Sequence, residues 1–284
     1  MNRTVYLNGE YLPEDEAKIS IFDRGVLFGD GIYEVGGVID GKIISFDSHM
    51  ARYHRSLAEL QIPEPLSEVE VLAAFRQLIE LNNINEGLVY MQVTRGAADR
   101  EFVWQENLKP TVFMFTQHKP DDEHHKVKTG VKLKSTDDIR WARRDIKSVN
   151  LLGQVLAKKI AQDAGAYEAL MIDGDGFVTE CGSMSFFMVK SNEILTRPLN
   201  NNILSGITRK SLFSLCEQYG INLVERKFTL EDALNADEAM ISGSSSYVMP
   251  VSQIDGQSIG SGKPGPWFQR LYDIYIDYAR AGAI

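Results

Sequence analysis

Asn8-Gly9 and Asp40-Gly41 each interrupt a pair of short apolar runs, and Asp173-Gly174-Asp175-Gly176 does the same further along. Tight turns of this type need positive φ at their central residues, which Gly, Asn and Asp tolerate, and they join strands only in antiparallel order. A chain punctuated in this way builds antiparallel sheet. The spacing predicts a hairpin over residues 5–12, a second over residues 33–38 and 43–46, and a third joining 169–172 to 177–179.

Helical spacing appears between these blocks. Met50, Tyr53, Leu57 and Leu60 form one stripe in a helix expected from about Ser48. Ser67-x-x-Glu70 is a capping box ahead of the stripe Val71, Phe75 and Leu78. Strands at 88–95 and 111–117 complete a first block in which strands and helices are grouped, an α+β arrangement. A second block starts with a strand near 131–134 and a helix over 151–164 closed by Gly165. Short strands at 185–189, 193–195 and 238–241 follow, with helices at 207–219, after Thr229-x-x-Asp232, and over 267–278.

A chain of 284 residues suggests about two domains. The polar stretch His118 to His125, interrupted by Pro120, reads as the link between them. The expected organisation is a small N-terminal α+β domain over 1–119, a linker over 120–125 and a larger C-terminal domain over 126–284. The adjacent His124 and His125 have no further ligand at metal-binding spacing, so no metal is expected. A net charge of -9 argues against a nucleic-acid partner, which needs a dense basic field. No apolar run approaches the roughly 20 residues of a membrane span, and the start Met1-Asn2-Arg3-Thr4 lacks an apolar secretory core. Cys181 and Cys216 make no disulfide framework, and a reducing, cytoplasmic setting is expected.

Several residues carry potential chemistry. Lys147 lies in Asp145-Ile146-Lys147-Ser148-Val149-Asn150, just after Arg143 and Arg144. Nearby cations and burial activate a lysine as a nucleophile, although a lysine in such a place is also an ordinary ion-pair residue. If the segment is a strand, alternation puts Arg143, Asp145 and Lys147 on one face. Gly206 opens the helix that begins Ile207-Thr208, and free N–H groups at a helix start bind anions. The competing reading is a plain N-cap by Ser205. Gly243-Ser244-Ser245-Ser246 offers a second group of hydroxyls and amides. Glu180 follows a short strand, and a buried carboxylate there can keep a heterocyclic nitrogen protonated; a surface position is the alternative. The stretch from Arg95 to Phe102 presents Arg95 and Arg100 around a flexible Gly96-Ala97-Ala98, a setting for gripping a carboxylate or simply for solvated arginines.

Taken in order, these stretches resemble the class IV (fold-type IV) aminotransferases, most closely the D-amino acid branch of that family. The resemblance covers essentially the whole chain. It is carried by Phe22-Asp23-Arg24-Gly25, Phe28-Gly29-Asp30-Gly31-Ile32-Tyr33-Glu34, His49-Met50-Ala51-Arg52, Val93-Thr94-Arg95-Gly96, Asp145 to Leu152, Val178-Thr179-Glu180 and Gly206-Ile207-Thr208-Arg209. It implies a fold-type IV architecture whose larger domain has a β-barrel-like core, pyridoxal 5'-phosphate as cofactor, and amino acids and 2-oxo acids as substrates. By the same resemblance Lys147 is the Schiff-base lysine and Glu180 the partner of the pyridine nitrogen. Arg52, Ile207 and Thr208, with Ser244 or Ser245, hold the phosphate. Tyr33 is a phenol near substrate and lysine, and Arg100 binds the substrate α-carboxylate from the neighbouring subunit of a homodimer. Phe102 stands where the D-amino acid enzymes usually carry a histidine, and a phenyl ring donates no hydrogen bond. The branched-chain L-amino acid aminotransferases and aminodeoxychorismate lyase share the fold and are the alternatives.

Overall fold

The computed structural model describes residues 3–119 and 123–284, and the chain divides into two compact units. The first unit holds Met1–Lys119 together with Ile146–Asn150 and Ala279–Ile284, and the second holds Pro120–Asp145 and Leu151–Tyr278. The short segment with Lys147, expected with the C-terminal half, thus groups with the first unit.

The first unit is built on β1 (Thr4–Leu7), β2 (Glu10–Pro13), α1 (Arg24–Phe28), β3 (Gly31–Ile39), β4 (Lys42–Ile43), α2 (Phe46–Glu59), α3 (Glu68–Leu81), β5 (Gly87–Thr94) and β6 (Thr111–His118). Its strands form one sheet in the order β2-β1-β6-β5-β3-β4, with every neighbouring pair antiparallel. Asn8, Gly9, Asp40 and Gly41 all have positive φ, as the tight turns require. Ile32, Glu34 and Gly36 of β3 are buried while Tyr33 and Val35 are half-buried, so the strand's period of two sends Tyr33 and Glu34 to opposite faces. Ser67 and Glu70 make both bonds of the capping box, and Val71, Phe75 and Leu78 of α3 are buried. α2 begins at Phe46, ahead of the expected Ser48, because Ser45 takes a left-handed conformation that turns the chain straight out of β4 into the helix. The short α1, not anticipated, is capped by the Asp23 side chain on the Gly25 amide.

The second unit contains α4 (Glu123–Thr129), β7 (Val131–Asp137), α5 (Leu152–Asp163), β8 (Glu168–Ile172), β9 (Val178–Cys181), β10 (Ser185–Lys190), β11 (Glu193–Thr196), α6 (Ile207–Gln218), β12 (Leu223–Glu225), α7 (Leu230–Leu234), β13 (Glu238–Gly243), β14 (Tyr247–Ile254), β15 (Gln257–Ser258) and α8 (Pro266–Gly282), whose last residues belong to the first unit. Of the expected linker, residues 120–122 lie outside the described residues, and Glu123 opens α4. The strands form a nine-stranded sheet, β12-β11-β10-β13-β14-β7-β8-β9, with β15 on β14. Between β9 and β10 lie only residues 182–184, which reach about 14 Å at full extension. In a flat sheet the five steps from β10 to β9 would span about 24 Å. The sheet therefore curls into a half-barrel, closed on itself at that corner. Leu133, Leu170, Phe186, Leu195, Phe228, Ile241 and Met249 fill its core.

β14 escaped the sequence reading because Pro250 interrupts it. A proline in a central strand costs a ladder bond. Here Pro250 pairs with Met240 on β13, while the pairing of β14 with β7 starts only at Val251, so the missing amide lies at the edge of the second ladder.

Candidate active site

Lys147 does not lie on a strand with Arg143 and Asp145, as alternation suggested. The residues leading up to it are turns and bends, because the Arg143 guanidinium closes locally on the Asp145 carboxylate at 3.0 Å and Arg144 turns back to Asp138 at 3.4 Å. What fixes Lys147 is the start of β3. The Tyr33 amide donates to the Lys147 carbonyl at 2.9 Å, the Val149 amide donates to the Gly31 carbonyl at 3.0 Å, and Ile32 bridges Ser148. This pairing sets the Lys147 Nζ 4.0 Å from the centre of the Tyr33 ring. Tyr33 in turn stacks on Tyr90, and Tyr90 on Phe115, in a run of rings across β3, β5 and β6. A half-buried amine thus rests on the electron-rich face of an immobilised ring.

On the other face of β3, Glu34 is buried and accepts from Arg52 Nε and Nη2, both at 2.7 Å, while His49 Nδ1 lies 2.8 Å away. His49 and Arg52 are one turn apart on α2, which is why a single carboxylate meets both. Burial works against the Glu34 charge, yet Arg52 and His49 overcome it and hold the carboxyl at about 2. Burial pulls His49 below the ordinary histidine range, against Glu34. Glu34 holds the Arg52 side chain at two of its nitrogens, a rigid mount.

The loop after β5 is also mounted. Asp30, half-enclosed, accepts from Arg24 Nε at 2.8 Å and from Arg95 Nε and Nη2 at 2.8 and 3.0 Å. Arg24 further donates to the carbonyls of Glu101 and Phe102 at 2.6 and 3.2 Å. Arg100 itself is exposed, its guanidinium 5.6 Å from the Phe28 ring and 5.4 Å from the Phe102 ring. Among the described residues, no hydrogen bond or ion pair joins Arg100 to Tyr33 or Lys147.

In the second unit Glu180 is buried on β9. Its Oε1 accepts from Arg140 Nη1 at 2.5 Å and from the Leu204 amide at 3.1 Å, while Oε2 has no hydrogen-bond partner among the described residues. Burial pushes the Glu180 carboxyl up, against the pull of Arg140. Asp138 behind it accepts from Arg140 and from Thr179 Oγ1, and despite burial these donors hold its carboxyl below the ordinary aspartate range. Sequence reading passed over Arg140 and Asp138. The available signal was the two-residue spacing of acid and guanidinium, which closes a local ion pair.

At the start of α6 the sequence offered two readings, a plain N-cap by Ser205 and an anion site. The N-cap is Gly206, in extended conformation and without a side-chain cap bond, rather than Ser205. Ile207 and Thr208 are buried, and Thr208 Oγ1 lies 3.4 Å from the Tyr275 hydroxyl. Ser244, Ser245 and Ser246 form the turn between β13 and β14, and Tyr247, directly after it, packs its ring 6.0 Å from that of Tyr275. Tyr275 therefore ties the two anion-friendly turns to one another. Nearby, the buried Ser242 hydroxyl has no partner, and a Cβ on Gly206 would meet Ser185 Oγ at 2.7 Å. Uncapped amides, an unpartnered hydroxyl and a close-approach glycine suit an oxyanion such as phosphate. Glu180 Oε2 suits a protonated ring nitrogen.

The family described as amino-transferase class IV matches residues 31–254. A D-alanine aminotransferase of Bacillus licheniformis is 42% identical over 264 residues, 92% of each chain. One from Staphylococcus haemolyticus is 40% identical over 275 residues, 96% of this chain and 97% of that one. Among solved structures, the Escherichia coli branched-chain amino acid aminotransferase has a TM-score of 0.92 at 22% identity, covering 98% of this chain and 95% of that one, which speaks to fold alone. A branched-chain amino acid aminotransferase from T.th., complexed with N-(5'-phosphopyridoxyl)-L-glutamate, has a TM-score of 0.89 at 25% identity, covering 98% and 94%. On a family match spanning most of its length, and relatives near 40% identity along nearly all of it, this chain belongs to the class IV aminotransferases.

Proposed function

We propose that this aminotransferase works on D-amino acids such as D-alanine, passing the amino group to a 2-oxo acid with pyridoxal 5'-phosphate as cofactor. The observation that carries the reading is the amine of Lys147, pinned by backbone pairing to β3 and held 4.0 Å from the Tyr33 ring. The names of the relatives support the D-amino acid substrate.

Bound pyridoxal 5'-phosphate supplies an aldehyde that joins an amine and a ring that draws electrons from the substrate's α-carbon. The protein's residues do the rest. Arg52, the amides of Ile207 and Thr208, and the hydroxyls of Ser244 and Ser245 hold the phosphate. Glu180 Oε2 holds a proton at the ring nitrogen. Lys147 Nζ takes the proton from the substrate α-carbon and delivers it back on the other side of the transfer, acting as base and then acid. Tyr33 limits where that amine can swing. The first substrate leaves as its 2-oxo acid before the acceptor enters, a ping-pong order.

Arg100 binds the substrate carboxylate across a homodimer. Its exposure supports this, as does the exposed apolar surface of Ile21, Phe22, Phe102 and Val103 in the same unit, unusual for a monomer. Phe102, without a hydrogen bond to give, packs by Arg100 and shapes its approach. A cytoplasmic location is part of the reading, supported by two free, buried cysteines. Among the described residues no helix is long and apolar enough to cross a membrane.

One observation favours a second reading, branched-chain L-amino acid transamination: Phe28 and Phe102 give Arg100 apolar surroundings. Half-reactions of the holoenzyme with D-alanine and with L-leucine, followed by cofactor absorbance, decide between them; D-alanine should react and L-leucine should not. Borohydride reduction of the loaded protein followed by peptide mapping should label Lys147. A label elsewhere, or none, overturns the proposed role of this lysine.

A further inference from the structure

We infer that Arg140 is the positioning residue of the cofactor carboxylate: by bridging Asp138 and Glu180 it fixes Glu180 Oε1 against the loop before α6 and leaves Oε2 to meet the ligand. The inference rests on the reading that Glu180 addresses the ring nitrogen.

Arg140 is buried and divides its planar fork between two acids. Nε and Nη2 reach Asp138 at 2.9 and 2.7 Å, and Nη1 reaches Glu180 Oε1 at 2.5 Å. Nη2 also lies 3.4 Å from the Asn202 carbonyl, and the Arg144 amide donates to the Asn201 carbonyl at 3.0 Å. The Leu204 amide completes the arrangement on Glu180 Oε1 at 3.1 Å. One guanidinium thus joins the carboxylate on β9 to the loop that runs into the uncapped start of α6. The spacing between the two ends of a planar, phosphorylated ligand depends on that junction.

The charges support a dedicated role. Asp138 and Glu180 face Arg140 and Arg144, two acids against two guanidinium groups. Asp138 is already satisfied by Thr179 and Arg144 in addition to Arg140. Among the described residues Glu180 has Arg140 and one amide, so removing the guanidinium leaves its Oε1 with a single neutral donor. A lysine supplies charge but cannot span both acids, because only a guanidinium presents donors in a fixed fork. Arg140 contacts no reacting atom, and its effect passes through Glu180.

The test is a mutant cycle on the holoenzyme: Arg140→Met, Glu180→Gln and the double variant, with Arg140→Lys as the conservative exchange. Each is measured for its cofactor dissociation constant, its bound-cofactor absorption band, and kcat and KM for the amino donor. Arg140→Met should weaken cofactor binding and lower kcat by about ten- to a hundredfold, the scale of a hydrogen bond to a charged group. It should shift the band in the direction seen for Glu180→Gln, and change KM far less than kcat. Arg140→Lys should recover part of the loss. The double variant should be no worse than Glu180→Gln alone. Losses that multiply in the double variant overturn the inference, as does a folded Arg140→Met or Arg140→Lys protein with wild-type spectrum and affinity. A Glu180→Gln protein indistinguishable from wild type sinks the assignment of Glu180 itself, a different failure. Should Arg140→Met not fold, the cycle of Arg140→Lys with Glu180→Gln decides by the same comparison.

Discussion

The Nζ of Lys147 lies 4.0 Å from the centre of the Tyr33 ring, and the backbone of the same two residues is joined by an amide-to-carbonyl bond of 2.9 Å. Strand pairing and side-chain contact therefore register the amine and the ring together. A cation on such a face gains on the order of 0.5–2 kcal/mol. Replacing Tyr33 with leucine removes that platform, and kcat should fall by about tenfold or more. Tyr33→Phe keeps the ring and should lose less. Equal losses in steady-state assays of the two variants would assign the whole effect to the phenol.

Glu34 predicts acid sensitivity. Its carboxyl is held at about 2, below the ordinary 4.5, so the unfolded chain binds the extra proton first as pH falls. Its stabilisation is complete above the ordinary value and disappears as pH drops toward 2. Glu34→Gln should lower the urea midpoint at pH 7, because Arg52 loses a buried counter-charge at a cost of about 3–5 kcal/mol. The variant should also show a shallower fall between pH 5 and 3. Parallel pH profiles for variant and wild type would rule this out.

Arg24 anchors the loop bearing Arg100 through the carbonyls of Glu101 and Phe102. Arg24→Met fills similar space without those donors, while Arg95 continues to satisfy Asp30. The loop bearing Arg100 should loosen, raising KM for the amino donor by about tenfold while the cofactor stays bound. Amide exchange at Glu101, whose N–H donates within the loop to the Asp99 carbonyl at 2.8 Å, reports the loosening, and unchanged protection there contradicts the anchor.

Gly31 lies where β3, β5 and the Lys147 segment meet. A Cβ at this position would approach the Val93 carbonyl to 2.7 Å, and backbone cannot move aside cheaply. Gly31→Ala should cost about 1–3 kcal/mol of stability, as overpacking does. It should also disturb Lys147, because the Gly31 carbonyl receives the Val149 amide. Thermal unfolding and borohydride labelling of Lys147 measure the two effects separately.

Local signals determined a large part of this protein. Asn8-Gly9 and Asp40-Gly41 dictated their turns because φ is a property of single residues, and Ser67 with Glu70 dictated a helix start because the bonds close within one turn. Gly206 marked a helix start for the same reason. The order of short motifs pointed to the family, and with it to fold-type IV, the cofactor and the transamination chemistry.

Tertiary structure decided what depends on partners distant in sequence. Lys147 reads as part of an arginine-rich strand, but its position comes from β3, more than a hundred residues earlier, where Tyr33 and Gly31 supply the pairing. β14 reads as broken at Pro250 and survives because its second ladder begins one residue later. Arg140 looks like one of several arginines, and only the order β7-β8-β9 in the sheet brings Glu180 near it, turning a local ion pair with Asp138 into a mount for Glu180. Periodicity reports which face of an element is buried; which side chain waits on the other side is settled by packing alone.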